Sequence, residues 1–214
     1  AGPPVDPDDL AAIPSTSPKP IYRNAFQGTT NTDPSFNEAD VSDKPNKPAP
    51  LSAATIAGLT EAFQQRLEAE LSAQDAILQI LDSLETQAEL DNTYIVFMSD
   101  NGHLLGEHRL GYGKKYPYEV SNRVPMMVRG PGITPGTVID DATSQVDFAP
   151  TVLAMAGTTS PTPGLIDGVN LLPLLTGTGT LNRSAIVIEA TSANASPDPL
   201  PWTYHGIIDR RWKY

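Results

Sequence analysis

The sequence predicts an α/β fold with a mostly parallel central sheet, and three features carry that prediction. A long amphipathic run places Ile56, Leu59, Phe63, Leu67, Leu71, Ile77, Leu78, Leu81 and Leu84 at spacings of mostly three and four, the period of a helix with one buried stripe. After Leu90-Asp91-Asn92 the period changes, and Thr93 to Met98 is a short β-branched and aromatic run, apolar on both faces. Strands covered on both faces are typical of parallel sheets. Further strands over Val124 to Val128 and Ala185 to Glu189 flank a helix over Phe148 to Met155, and this alternation of strand and helix is that of α/β units.

Composition excludes several classes of function. The chain has 214 residues with 14 Lys+Arg against 25 Asp+Glu, a formal net charge of -11. Such acidity predicts no nucleic-acid partner, because phosphate-backbone binders need clustered Lys and Arg. With no cysteine, disulfide frameworks, thiolate metal sites and a cysteine nucleophile are absent from these residues. No apolar run approaches the roughly 18 residues that a spanning helix needs, so no membrane span is predicted.

Residues 1–50 hold 10 of the 21 prolines, which remove backbone donors and restrict the residues before them. Tyr22, Phe26 and Phe36 favour an extended segment wrapped on a larger body over a solvated tail. The helix after this segment has Ser52 or Thr60 as candidate caps, with Gly58 allowing a break between them. Residues 51–190 are assigned to the α/β core and 191–214 to the start of a smaller C-terminal sheet region, in which Tyr204 to Tyr214 is a candidate strand. Gly157 is expected to stop the helix over Phe148 to Met155. Thr158 to Asn182 is expected to be loop, with one turn around Leu171 to Leu175.

The chemistry is concentrated after the first strand, in Ser99-Asp100-Asn101-Gly102-His103-Leu104-Leu105-Gly106-Glu107-His108. Open α/β sheets bind ligands beyond the carboxyl ends of their strands. Asp100 and Asn101 offer two hard oxygen donors, the type that Ca²⁺ and Mg²⁺ select. Asp-Asn-Gly is equally a common turn sequence, because all three residues suit tight turns. His103 and His108 are either ligands, anion contacts or polar loop residues. Lys114 and Lys115, in Gly113-Lys114-Lys115-Tyr116-Pro117-Tyr118-Glu119, place two ammonium groups where an anionic substrate group would find point charges and donors. The alternative for both lysines is a solvated loop.

The run TYIVFMSDNGHLLGEHRLGYGKKYPYEVSNRVPMMVRGPGI, from Thr93 to Ile133, resembles the sulfatases of the alkaline-phosphatase-like superfamily, most closely the branch of N-acetylglucosamine-6-sulfatases and related carbohydrate sulfatases. Pro34 to Pro45, Gln145 to Thr151, Asp167-Gly168 with Leu171 to Leu175, and Arg211 to Tyr214 agree with that family in order and spacing. The resemblance implies an alkaline-phosphatase-like sandwich, incomplete at its N-terminal side, and a hydrolase acting on sulfuric esters, with a sulfated carbohydrate or other sulfate ester as partner. It implies that Asp100 and Asn101 help to hold Ca²⁺ rather than Mg²⁺. It further implies Lys114 as catalytic and sulfate-contacting, Lys115 as a second substrate-binding candidate, and His103 as a displaced active-site contact. His108 is expected to be structural.

The family's C/S-x-P-x-R signature, whose cysteine or serine becomes the formylglycine nucleophile, occurs nowhere in these residues. The chain is therefore expected to be a middle-to-C-terminal fragment, inactive by itself, of low stability, and partnered by an N-terminal half of the same protein. The alternatives are a non-catalytic remnant, an anion-binding module, or a phosphodiesterase of the same superfamily. The family and the Asn182-Arg183-Ser184 and Asn194-Ala195-Ser196 sequons point to a secreted or otherwise extracytoplasmic protein.

Overall fold

The structure is a computed structural model that describes residues 15–114, 116–160, 164–191, 203–209 and 211–214. In chain order its elements are α1 (Ala53–Thr86), β1 (Ile95–Met98), β2 (Leu104–Leu105), β3 (Tyr112–Gly113), α2 (Glu119–Asn122), β4 (Met126–Arg129), α3 (Phe148–Met155), α4 (Leu172–Leu175), β5 (Ala185–Thr191) and β6 (Thr203–Asp209). They divide into two compact units, one from residues up to 90 with 102–114, the other from 91–101 with 115–214.

In the first unit α1 starts at Ser52, whose hydroxyl accepts from the Thr55 backbone N–H at 3.1 Å and so satisfies one of the free donors of the first turn. The helix runs unbroken through Gly58, which is buried. The cost of about 1 kcal/mol that glycine brings to a helix interior is outweighed by the packing of its neighbour. Leu59 and Ala62 pack against Leu105 of β2, with Phe36, Leu51 and Phe63 closing around them. β2 and β3 form a short antiparallel ladder in which Leu104 faces Gly113 and Leu105 faces Tyr112. Gly106 comes next at φ +103°, and a side chain there would meet the Phe36 ring at 2.7 Å.

The proline-rich segment lies along α1 through polar contacts. The Thr16 hydroxyl donates to the Gln65 carbonyl at 3.2 Å, and Gln64 donates to the Thr29 carbonyl at 2.7 Å. Asp75 receives both Lys19 Nζ at 2.7 Å and the Tyr22 hydroxyl at 2.8 Å, and these two partners hold its carboxyl below the ordinary range. The second half of α1 is different. Leu78 and Ile80 are 49% and 59% exposed, although Leu78 continues the apolar stripe of the sequence.

In the second unit β1 pairs with β4, from Ile95 opposite Arg129 to Met98 opposite Met126. β5 pairs with β6, from Ala185 opposite Asp209 to Thr191 opposite Thr203. The tail then folds back, so that Ile207 and Tyr214 exchange two backbone hydrogen bonds of 2.9 Å. α3 ends before Gly157, which takes φ +71°. The predicted turn around Leu171 to Leu175 is the single-turn helix α4.

Every ladder among the described residues is antiparallel, where the two-sided apolar run Thr93 to Met98 had predicted parallel neighbours. Parallel pairing needs a crossover, usually a helix, of a dozen or more residues. Between β1 and β4 the chain instead makes the small β2–β3 ladder and the four-residue α2. Apolar alternation reports which faces are covered and carries no information about strand direction.

Leu59 is only 1% exposed at the centre of the first unit's core. Leu59→Ala is expected to cost about 2–5 kcal/mol, the usual range for a buried leucine. Denaturant unfolding followed by the helical circular dichroism signal checks this, and an unchanged midpoint would remove Leu59 from the core.

Candidate functional site

The predicted site residues fall in both units, and each set has its own geometry. In the second unit Ser99, Asp100 and Asn101 leave the carboxyl end of β1. The Ser99 hydroxyl donates to the Asn101 carbonyl at 2.8 Å, closing the turn that Asp-Asn-Gly predicts. Gln145 then clamps the same backbone, its Nε2 donating to the carbonyls of Ser99 and Asp100 at 2.7 Å each. The Asp100 side chain is exposed and that of Asn101 half-buried.

Gln145 itself lies inside a turn closed by the residues on either side of it. It opens a 3-10 turn, Gln145–Asp147, that runs into α3 and is closed by a capping box between Ser144 and Asp147. Asp147 has no exposure to water. Burial by itself would raise its carboxyl, but the Arg183 guanidinium and the backbone N–H groups of Val169 and Ser144 outweigh burial and hold it below the ordinary 3.8. Arg183 binds it in a fork, Nη1 to Oδ1 at 2.9 Å and Nη2 to Oδ2. Thr151, also fully buried, donates to the Asp147 carbonyl at 2.6 Å and accepts from the Leu171 N–H at 2.9 Å. Gly168 passes so close to the Val146 carbonyl that no side chain fits there.

In the first unit His103 stands immediately before β2, its ring 6.0 Å from that of Tyr112 on β3. Its Nε2 is buried without a hydrogen-bond partner. Burial, reinforced by the charges of Arg66 and Lys114, pushes its pKa down to about 4, so the ring is neutral near pH 7. Lys114, just past β3, is exposed. Lys115 lies outside the described residues. Sequence reasoning did not single out Arg66 on α1, although it continues the buried stripe seven residues after Leu59. A cation on an apolar stripe was the available signal.

His108 is tied to a different place. Its Nδ1 meets Glu38 Oε2 at 2.8 Å, and Arg109 donates to the carbonyls of Glu38 at 2.7 Å, Ala39 at 2.8 Å and Pro48 at 3.0 Å. Both residues take positive φ, 55° and 60°, to reach that segment. These contacts anchor residues 38–48 and fit the structural role expected of His108.

For a cation, Asp100 and Asn101 supply oxygen donors of the right hardness, two of the roughly six to eight that Ca²⁺ takes. Among the described residues no group of three or more His, Asp and Glu could close around a metal. Asp100 and Asn101 thus offer two oxygen donors and the described residues add no cluster to them.

The sulfatase family profile matches residues 14–158. The extracellular sulfatase SULF-1 homolog of Drosophila melanogaster is 38% identical over 162 residues, covering 70% of this chain and 14% of that protein. The N-acetylglucosamine-6-sulfatase of Bos taurus is 34% identical over 175 residues, 79% of this chain and 31% of its own length. A protein solved in complex with its substrate D-glucosamine-2-N,6-O-disulfate superposes with a TM-score of 0.63 at 32% identity, over 76% of this chain and 33% of its own. The chain belongs to the sulfatase family, and its fold is part of the alkaline-phosphatase-like architecture. It spans 14% and 31% of the two relatives' lengths.

Asp147→Asn would leave the half-buried Arg183 against a neutral partner. Removing one side of a buried pair typically costs about 3–5 kcal/mol. Because folding lowers the Asp147 carboxyl, its contribution is complete above 3.8 and is lost as pH falls through the folded value below that. Acid titration of stability should show wild type and Asp147→Asn far apart at neutral pH and converging below pH 3.8. A constant gap across that range would refute the ionised, paired state.

Proposed function

We propose that this chain provides the cation- and sulfate-binding portion of an enzyme that hydrolyses sulfate monoesters on a carbohydrate. The observation that carries the proposal is the oxygen-donor pair Asp100–Asn101 at the carboxyl end of β1, in a chain whose residues 14–158 match the sulfatase family. The bovine N-acetylglucosamine-6-sulfatase and the protein solved with its disulfated glucosamine support the substrate class. The extracellular fly relative supports an extracytoplasmic location. Among the described residues no helix is long and apolar enough to cross a membrane.

In this reading Asp100 and Asn101 contribute oxygens to Ca²⁺, which when bound supplies Lewis-acid stabilisation of the sulfuryl oxygens. Gln145 holds the backbone of Ser99 and Asp100 in place. Lys114 is the candidate for contacting the sulfate, since an ammonium offers positive charge and N–H donors where charge grows as the bond to sulfur breaks. Lys115 is a second candidate for that contact. The His103 ring is a hydrogen-bonding wall for the bound ester rather than a second cation. The formylglycine nucleophile is supplied by polypeptide outside these residues, since neither a cysteine nor a C/S-x-P-x-R signature is present. The 214 residues alone are therefore expected to bind sulfate esters without turning them over.

Two measurements test this. Calorimetric titration with Ca²⁺ should show at least roughly tenfold weaker binding, about 1.4 kcal/mol, for Asp100→Ala. Calcium affinity equal to wild type would strike Asp100 from the ligands. Lys114→Ala should weaken binding of a sulfated glucosamine by a similar factor while leaving calcium affinity unchanged. In the whole enzyme, preference for a phosphodiester over a sulfate ester would overturn the substrate class.

A further inference from the structure

In the first unit a buried guanidinium nitrogen, Arg66 Nε, has no hydrogen-bond partner among the described residues. Arg66 sits on α1 one turn beyond Ala62 and seven residues beyond Leu59, on the face that packs against β2. His103 immediately precedes β2, and the charges of both Arg66 and Lys114 act on its ring. Arg66 Nε and His103 Nε2 are both buried without a hydrogen-bond partner.

Three described carboxylates of this unit have other partners. Glu68 accepts from the Phe26 N–H at 3.4 Å, and Glu107 accepts from Asn31 at 3.0 Å and from the Leu105 N–H. Glu38 is held by His108 and Lys44. Burial accordingly pushes the Arg66 guanidinium down, with no acidic group acting in the other direction. A half-buried guanidinium left in this state costs stability, and a charged, hydrogen-bonding counterpart removes the cost. The nearby groups exclude a cation as that counterpart, because the Lys114 charge also bears on His103. An oxyanion fits, since its planar pairs of oxygens match the guanidinium fork and its charge is shared with Lys114.

We propose that Arg66 is a substrate-binding residue that, together with Lys114, holds an oxyanion of the substrate beside His103. The assignment rests on the sulfatase reading only for the identity of the anion. The oxyanion is either the sulfuryl group of the ester itself or a second sulfate on the same sugar.

Thermal melting of the 214-residue chain, with sulfate replacing chloride at constant ionic strength, provides the test. Wild type should be stabilised by sulfate in proportion to its binding. Arg66→Met should bind about tenfold more weakly while melting no lower than wild type without sulfate, because it removes a buried charge that has no partner. Arg66→Lys, which keeps the charge but loses the fork, should fall between the two and covers the case in which the methionine variant fails to fold.

Glucosamine 6-sulfate and glucosamine 2-N,6-O-disulfate then separate the two sources. Equal losses for inorganic sulfate and the monosulfate assign Arg66 to the ester's own sulfuryl group, and a loss confined to the disulfate assigns it to the second anion. Wild-type behaviour of Arg66→Met with all three probes, or no sulfate-specific stabilisation of wild type, overturns the proposal. A loss in Arg66→Met beside an unchanged Lys114→Ala would instead retire the role given to Lys114 and leave Arg66 in place.

Discussion

Asp147 carries a negative charge entirely out of water, and the second unit is arranged around satisfying it. Four donors converge on its two oxygens, from the Ser144 and Val169 backbone and both Arg183 terminal nitrogens. The same contacts fix the start of α3, the approach to α4 and the entry to β5 together. Buried charge with this density of hydrogen bonds allows little latitude in geometry, since any displacement leaves a donor or an oxygen unpaired. Gln145 is two residues away on the same turn, and through it that rigidity reaches the backbone of Ser99 and Asp100. The position of the candidate metal ligands is thus set by a structural carboxylate that touches no ligand itself.

The first unit is organised by apolar packing instead. Leu59, Ala62 and Leu105 join α1 to β2, and the proline-rich segment is pinned along the helix by bonds to Gln65, Asp75 and Glu68. Nondirectional packing of this kind tolerates a polar side chain at its edge, and Arg66 occupies that place. The contrast is physical: the second unit buries a charge with its partners supplied, whereas the first half-buries one that has no hydrogen-bond partner for its Nε among the described residues.

Elements governed by local periodicity were legible in the sequence. α3 spans Phe148–Met155 as its pattern and the adjoining Gly157 indicate, and α1 begins at Ser52, one of its two predicted caps. Three of the four expected strands were legible to within two residues, the candidate Tyr204 to Tyr214 ending five residues early at Asp209, but their pairing was not. The apolar pattern of Thr93 to Met98 contains its burial and nothing about the direction of its neighbour, which is decided by the chain between β1 and β4. The two-residue strands β2 and β3 are too short to carry a period.

The sequence by itself determined the family, the long helix, the acidic character and the Asp100–Asn101, His103 and Lys114 candidates, because these depend on residue identity and spacing along the chain. Only the tertiary structure decided that Asp147 pairs with Arg183, 36 residues away, and that Gln145 clamps a loop 45 residues before it. It likewise decided that burial favours the neutral form of His103 and that Arg66 Nε is buried without a partner among the described residues. Protonation state and pairing depend on which groups meet in a low-dielectric interior, and that meeting is set by long-range packing rather than by any local pattern.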